Sequence, residues 1–464
     1  MRGRAKIVLY LLGLVILAIA PTACGGGSGS SRKATTTATT GTPNAGQAAS
    51  PASSPAETTP AITTQVATPV STPAATAKAT PANRATPPPV AAGTPSTLAP
   101  GNVVLNDSWF NSPSIGWLAG QGCVQVRPGT SSGQPPVMRC TGVIYHTVDG
   151  GKHWLSLDTG RLIPCKVQFT SDQTGWLIGV KNGDCFGSMQ GIGVVQQTSD
   201  GGTSWTTRYL TSRPGILPAD LRFTSNNEGW VTLSDCPSEE SPCSWQVVST
   251  ADAGRNWSTS TIPITAHQAS MSHPDASDGW VIAGGNGVVN IADSHDGGRT
   301  WQLRLIPTPL GGSSATIFFL NAQQGWFLTG GEPGAGNEMK QLYSTTDGGE
   351  NWRIVVSGVL NLHPADGPLG LAGYVGPLVF TSPEHGWAFL PRAGVLQTKD
   401  GGKSWDAGSP LNDGAGSEEG LHFNGQMLGW STFEGFVMLT SNGGTSWHGV
   451  PMPDSVSRNY GSPS

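Results

Sequence analysis

Six aspartates and one asparagine, Asp149, Asp200, Asp252, Asp296, Asp347, Asp400 and Asn442, each stand five residues ahead of a tryptophan. Those tryptophans are Trp154, Trp205, Trp257, Trp301, Trp352, Trp405 and Trp447. Repeated carboxylates suggest two chemistries, calcium binding and acid–base catalysis. Calcium takes roughly six to eight oxygens, and one carboxylate per eight-residue box such as TTDGGENW falls well short of that. The alternative is structural. The acid accepts N–H groups of its own turn, the glycines adopt angles closed to other residues, and the leading Thr or Ser hydroxyl joins the network. The tryptophan then carries apolar area into a seam. Asn442 keeps the acceptor without the charge, which is what a capping role tolerates. No metal and no cofactor are expected.

The boxes need elements to hold them. Each is preceded by a Gly-Trp pair, as in QTGWLIG and QQGWFLTG, and seven residues before that tryptophan stands Phe110, Phe169, Phe223, Phe319, Phe380 or Phe423, with His273 the exception. The box tryptophans recur every 42 to 53 residues, close to the period of a four-stranded propeller blade. In the second repeat KVQF, GWLIGV, GVVQQT and SWTTRYL read as four strands, with the box as the turn before the last. Sheets apolar on both faces bury them against neighbouring sheets in a closed ring. The expectation is an all-β, seven-bladed β-propeller of four-stranded antiparallel blades over residues 102–453, monomeric, followed by a C-terminal tail over 454–464. A linear β-solenoid is the alternative, but it needs shorter repeats with fewer turns.

Residues 1–23 read as a signal peptide: MRGRAK is basic, IVLYLLGLVILAIA is apolar, and PTAC ends on small residues. The site resembles a bacterial lipoprotein signal, which implies lipidation of Cys24. An uncleaved single-span anchor and ordinary secretion remain alternatives, and all three place the rest outside the cytoplasm, at the membrane if the lipid is added. Residues 24–101 are Ala, Thr, Pro, Ser and Gly with almost no large apolar side chains, the composition of a disordered linker. Beyond residue 100, eighteen basic residues face twenty-nine acidic ones. A domain of that sign lacks the footprint of a nucleic-acid binder. The six remaining cysteines fall as local couples, Cys123 with Cys140, Cys165 with Cys185 and Cys236 with Cys243. This is one of about fifteen connectivities, preferred because each couple lies inside one repeat. A zinc site is the rival, but the spacings are irregular and lack Cys-x-x-Cys.

The pattern S/T-x-D-x-G-x-x-W resembles the Asp-box, or bacterial neuraminidase (BNR), repeat. Joined to F-x6-W and Gly-Trp, it looks most like the photosystem II assembly and stability factors. That resemblance implies an exported propeller that helps assemble a membrane complex by binding protein, without catalysis. The family's arginine-rich patch is not evident, because Arg127, Arg139, Arg161, Arg208, Arg213 and Arg222 are scattered along the sequence. Glycan-binding proteins and glycoside hydrolases, sialidases among them, form the alternative class. A sialidase needs three arginines gripping one carboxylate and a tyrosine nucleophile with an acidic partner. The two RLIP strings, at Arg161 and Arg304, both follow a box and are expected on outer strands.

Blades alternate their connections between two faces, and insertions on one face mark a binding surface. The loops between second and third strands are minimal in blades four, six and seven and long in blades one, two, three and five. Together with the long link LNLHPADGPLGLAGYVG they nominate Arg127, Arg139, Phe186, Glu239, Glu240, Trp245, His363, Asp366 and Tyr374 as binding residues. The expected partner is a membrane or cell-surface protein, with a glycan as the alternative.

Overall fold

The computed structural model describes residues 103–128, 137–185, 191–238, 240–285, 287–334, 337–357, 373–391, 393–407, 420–433 and 435–456. The signal segment, Cys24 and the linker lie outside the described residues. The remainder forms seven antiparallel sheets of four strands, each built from consecutive segments of chain: a seven-bladed β-propeller. Blade 1 comprises β1 (Val103–Phe110), β2 (Gly116–Arg127), β3 (Val137–Thr147) and β4 (Leu155–Gly160). Blade 2 comprises β5 (Leu162–Phe169), β6 (Gly175–Lys181), β7 (Ile192–Thr198) and β8 (Thr206–Leu210), matching the four segments read from the repeat. Blades 3 to 7 open on the inner strands Ile216–Phe223, Ser270–Ser272, Ser314–Phe319, Leu378–Phe380 and Leu421–Asn424.

The F-x6-W register has a seam-forming cause. Each phenylalanine pairs across its hairpin with the glycine before the tryptophan, as Phe319 does with Gly325. Its ring lies over that glycine so closely that a Cβ on Gly325 would stand 2.7 Å from the ring, and only glycine fits. The freed ring face stacks on the tryptophan of the preceding blade. Trp117 lies 3.5 Å from Phe169, Trp176 3.9 Å from Phe223, Trp280 3.5 Å from Phe319, Trp326 3.8 Å from Phe380 and Trp387 4.1 Å from Phe423, centroid to centroid. His273 fills the same place against Trp230 at 4.0 Å. These Gly-Trp tryptophans, not the box tryptophans, are the fully buried rings of the seams. The box tryptophans are half-buried and meet the stacks edge-on, as Trp352 meets Phe319 at 5.9 Å. The box tryptophans thus reach the seams as expected, but the deeper ring of each seam comes from the Gly-Trp tryptophan on the second strand of the blade.

Inside the stacks, side chains on the inner strands hydrogen-bond the next blade's backbone. Asp107 Oδ2 accepts from Val167 N (2.9 Å), Gln168 brackets Phe223 N and O (2.7 and 2.9 Å), and Ser272 Oγ accepts from Phe319 N (2.8 Å).

The last seam, between blades 7 and 1, is built differently. Phe110 is tilted 58° to Trp430 with centroids 5.9 Å apart, and Trp109 packs edge-on at 5.2 Å. Among the described residues no strand is exchanged: blade 7 comes wholly from the C-terminal end and blade 1 from the N-terminal end of the ring. Closure rests on Trp430 Nε1 donating to Ser108 O (3.0 Å), Val103 N to Ser455 O (2.9 Å), a Tyr145–Ser455 hydroxyl pair (2.6 Å) and a parallel bridge between Val103 and Val456. Val450, Met452 and Val456 join the apolar cluster of blades 1 and 7, so the ring runs to Val456 where the sequence suggested an end at 453.

Candidate functional site

One face of the disc carries the seven boxes, and their chemistry is spent inside each turn. In the fifth, Thr345 Oγ1 donates to Asp347 Oδ1 (2.7 Å) and accepts from Gly349 N (3.0 Å). Asn351 donates to Asp347 through its backbone N (2.9 Å) and Nδ2 (2.8 Å). Gly348 and Gly349 adopt φ of 75° and 93°, where glycine is favoured. The turn is tied to its own blade by Gly348 N donating to Gln323 O (2.8 Å), and to the preceding blade by Trp280 Nε1 donating to Gly348 O (3.0 Å). The hydrogen bonds from Asn351, with that from Thr345, hold the Asp347 carboxyl down to about 2. Asn442 reproduces the network, accepting from Ser446 N (2.9 Å) and Thr440 Oγ1 (2.9 Å). The box carboxylates are therefore occupied by their own turns. Among the described residues no group of three or more His, Cys, Asp and Glu side chains is placed to hold a metal.

The opposite face is elaborated. All three disulfides form as the spacing suggested, Cys123–Cys140, Cys165–Cys185 and Cys236–Cys243. Sequence reading treated the segment between the second and third strands of blade 1 as a loop, but most of it is strand. β2 pairs with β1 only as far as Gly122, and β3 pairs with β4 only from Gly142. The pairs Cys123 with Cys140, Val124 with Arg139, Gln125 with Met138 and Arg127 with Val137 continue beyond, as a two-stranded ribbon without flanking strands. A free ribbon of this kind is marginal in water, and the disulfide sits at its base. Val124 and Val126 are 46% and 47% exposed, and Arg127 and Arg139 are exposed beside them. The two valines were not singled out in the sequence, although alternation along CVQV was the signal that could have found them.

The other nominated residues divide. Glu240 is exposed in the hairpin closed by Cys236–Cys243. Trp245 is not a surface residue. It lies in the third strand of blade 3, 4% exposed, with Nε1 donating to Ala266 O (3.0 Å), because strand alternation turns it into the seam with blade 4. Tyr374 is half-buried on the link into blade 6, its N donating to Pro391 O (3.1 Å). That link is fastened by a buried pair missed in the sequence. Lys340 Nζ donates to Gly373 O (2.8 Å) and Glu338 O (3.0 Å), while Glu338 Oε2 accepts from Val375 N (2.6 Å). Burial pushes the Lys340 ammonium down to about 8 against the pull of Glu338. Phe186, Glu239, His363 and Asp366 lie outside the described residues.

The two RLIP arginines also separate. Arg304 lies on the outer strand Gln302–Pro307 as expected, held by Asp293 (2.8 Å) and Glu350 (2.6 Å). Arg161 is not on an outer strand: it is the one residue between β4 and β5, and its Leu-Ile-Pro opens the inner strand of blade 2. Tyr145 and Tyr343 are buried, their hydroxyls bonded to Ser455 (2.6 Å) and Gln341 (3.2 Å). Neither has the acidic partner of a sialidase nucleophile among these contacts.

Fold and faces together define a seven-bladed propeller with one uniform face of closed turns and one stapled, elaborated face. Against known proteins, the chain is 27% identical over 223 residues to the photosystem II assembly lipoprotein Ycf48 of Synechococcus sp. (strain CC9902), covering 47% of this chain and 57% of that relative. The chain thus spans less than two thirds of the length of the curated relative it matches. Among solved structures it is similar to YCF48 bound to D1 peptide, with a TM-score of 0.46 and 17% identity over 75% of this chain and 91% of that one. It is likewise similar to YCF48 from Cyanidioschyzon merolae, with a TM-score of 0.47 and 19% identity over 74% and 95%. No family model matches the chain.

Proposed function

We propose that this propeller is a non-catalytic docking module of the assembly-factor kind, held outside the cytoplasm by a lipid on Cys24, whose stapled face engages a membrane protein. The observation that carries the reading is the asymmetry between the faces. Seven similar turns spend their polar groups internally on one side, while the other offers a disulfide-based ribbon with exposed valines and arginines. Exposed apolar side chains flanked by arginine have the composition of a protein interface. The curated relative named as an assembly lipoprotein supports the same class.

A photo-crosslinking residue placed at Val124 or Arg139 of the full chain in its own cells is expected to give discrete adducts with membrane proteins. The same residue at Thr445, on the box face, is expected to give none. Reduction of the disulfides, verified by mass, should weaken these adducts while the ring stays folded, because a loosened ribbon must be reordered on binding. Cys24→Ala should move the protein out of the membrane fraction or leave its precursor unprocessed. Equal adducts from both faces would overturn the docking reading, and unchanged fractionation with normal processing would overturn the anchor.

A further inference from the structure

The outer wall between blades 1 and 2 holds an open groove of about 600 Å³, within the size range of small-ligand sites. It runs from Thr203 and Trp205 near the box face to Arg161 and Lys181 near the stapled face. None of the described lining residues carries a carboxylate, in a domain whose acidic residues outnumber the basic ones twenty-nine to eighteen. Arg161 and Lys181 are exposed and make no ion pair among the described residues. Arg304, by contrast, is held by two carboxylates. Along the groove Gln196 Nε2 donates to Thr207 Oγ1 (3.2 Å), setting an amide and a hydroxyl side by side. Trp205 is fixed by its Nε1 bond to Gly202 O (3.0 Å) and by Phe169, edge-on at 6.0 Å, and part of its surface is left to the groove.

We propose that this groove binds an anionic oligosaccharide bearing uronic-acid carboxylates. A fixed, partly exposed indole suits the C–H face of a pyranose, since apolar C–H groups pack on an aromatic ring. The Gln196 and Thr207 polar groups match sugar hydroxyls. Arg161 forks onto a carboxylate and Lys181 adds a second cation beside it. An acidic peptide would satisfy the two cations but has less use for the hydroxyl and amide lining. The groove is on the outer wall, so the proposal stands apart from docking through the ribbon.

The test is calorimetric titration of the full chain with oligogalacturonate, oligomannuronate and hyaluronan oligosaccharides, alongside methyl-esterified oligogalacturonate and hexaglutamate. At least one uronate oligomer is expected to bind, with affinity falling about tenfold or more in the Arg161→Gln/Lys181→Gln double variant, as loss of charge-assisted hydrogen bonds requires. Thr207→Trp, at an exposed position, is expected to block the groove with the melting temperature unchanged. No binding of any uronate oligomer would overturn the proposal. So would equal binding of the methyl ester, preferential binding of hexaglutamate, or affinity unaltered in both variants. Ribbon crosslinks in these variants should remain, which separates this outcome from failure of the docking reading.

Discussion

Two histidines show how single side chains tune the ring. His146 stacks parallel on Trp117 (4.7 Å, 2°) and His273 replaces phenylalanine on Trp230. Burial drives both imidazoles down to about 4, against the weaker pull of Asp172 on His146 and of the Asp278 carbonyl on His273. An unfolded imidazole titrates near 6.5, so protons bind the unfolded chain first. Stability is full above about pH 6.5 and is lost as pH falls towards 4, by on the order of 3 kcal/mol for each histidine. Denaturant midpoints at pH 7 and pH 4.5 should show the drop, and His273→Phe should remove about half of it. The third box offers a second test. It has Ala253 where the other boxes have glycine, and this alanine sits at φ 60°, a region costing a non-glycine residue about 1–2 kcal/mol. Ala253→Gly relieves that strain and gives back part of the gain to the more flexible unfolded chain. The melting temperature should rise by the equivalent of about 0.5–1 kcal/mol, and a fall would show that the turn is not strained.

In the strands the deciding unit is the phenylalanine–glycine pair with its stacked tryptophan. Trp326 is fully buried and Trp352 only half-buried. Trp326→Ala should therefore cost about 3–5 kcal/mol in urea unfolding, and Trp352→Ala distinctly less. The opposite order would return the seam's core to the boxes. Much of this arrangement was legible because it repeats locally: hairpin, box and F-x6-W all fall within one period of sequence. What escaped was whatever needed the neighbouring blade. Spacing alone does not tell that Phe319 serves Trp280 rather than Trp326, nor that Trp245 turns into a seam. The ribbon escaped for another reason: turn residues in GQGCVQVRPG masked the two-residue alternation that carries the strand on to Arg127. The Lys340–Glu338 fastening could not be read because its partner carbonyl, Gly373 O, lies thirty-three residues away.

As a whole the molecule is a ring with one seam unlike the other six. Six seams carry a near-parallel ring stack, and the seventh carries a tilted pair plus the segment from Val450 to Val456. Ending the chain after Gly449 removes that segment's apolar side chains, the Tyr145–Ser455 bond and the Trp154 Nε1 bond to Pro451 O (2.8 Å). Ending it after Val456 removes none of them. Calorimetry should show a large loss of melting temperature in the first truncation and little change in the second. Equal behaviour would mean that the seam closes on its sheets alone.

That seam also decides how the molecule responds to force. β1 is the first strand of the ring, and its leading residue, Val103, is clasped by Ser455 and Val456 beside it. Tension entering at Val103 loads this clasp and the Val103–Gly122 pair at the end of blade 1's first hairpin together. Both are held at the end of a strand, where the bonds break in succession as a zipper opens. Pulled from residue 103, the ring should yield first between its two ends and pay out blade 1, leaving the later blades stacked until the load climbs further.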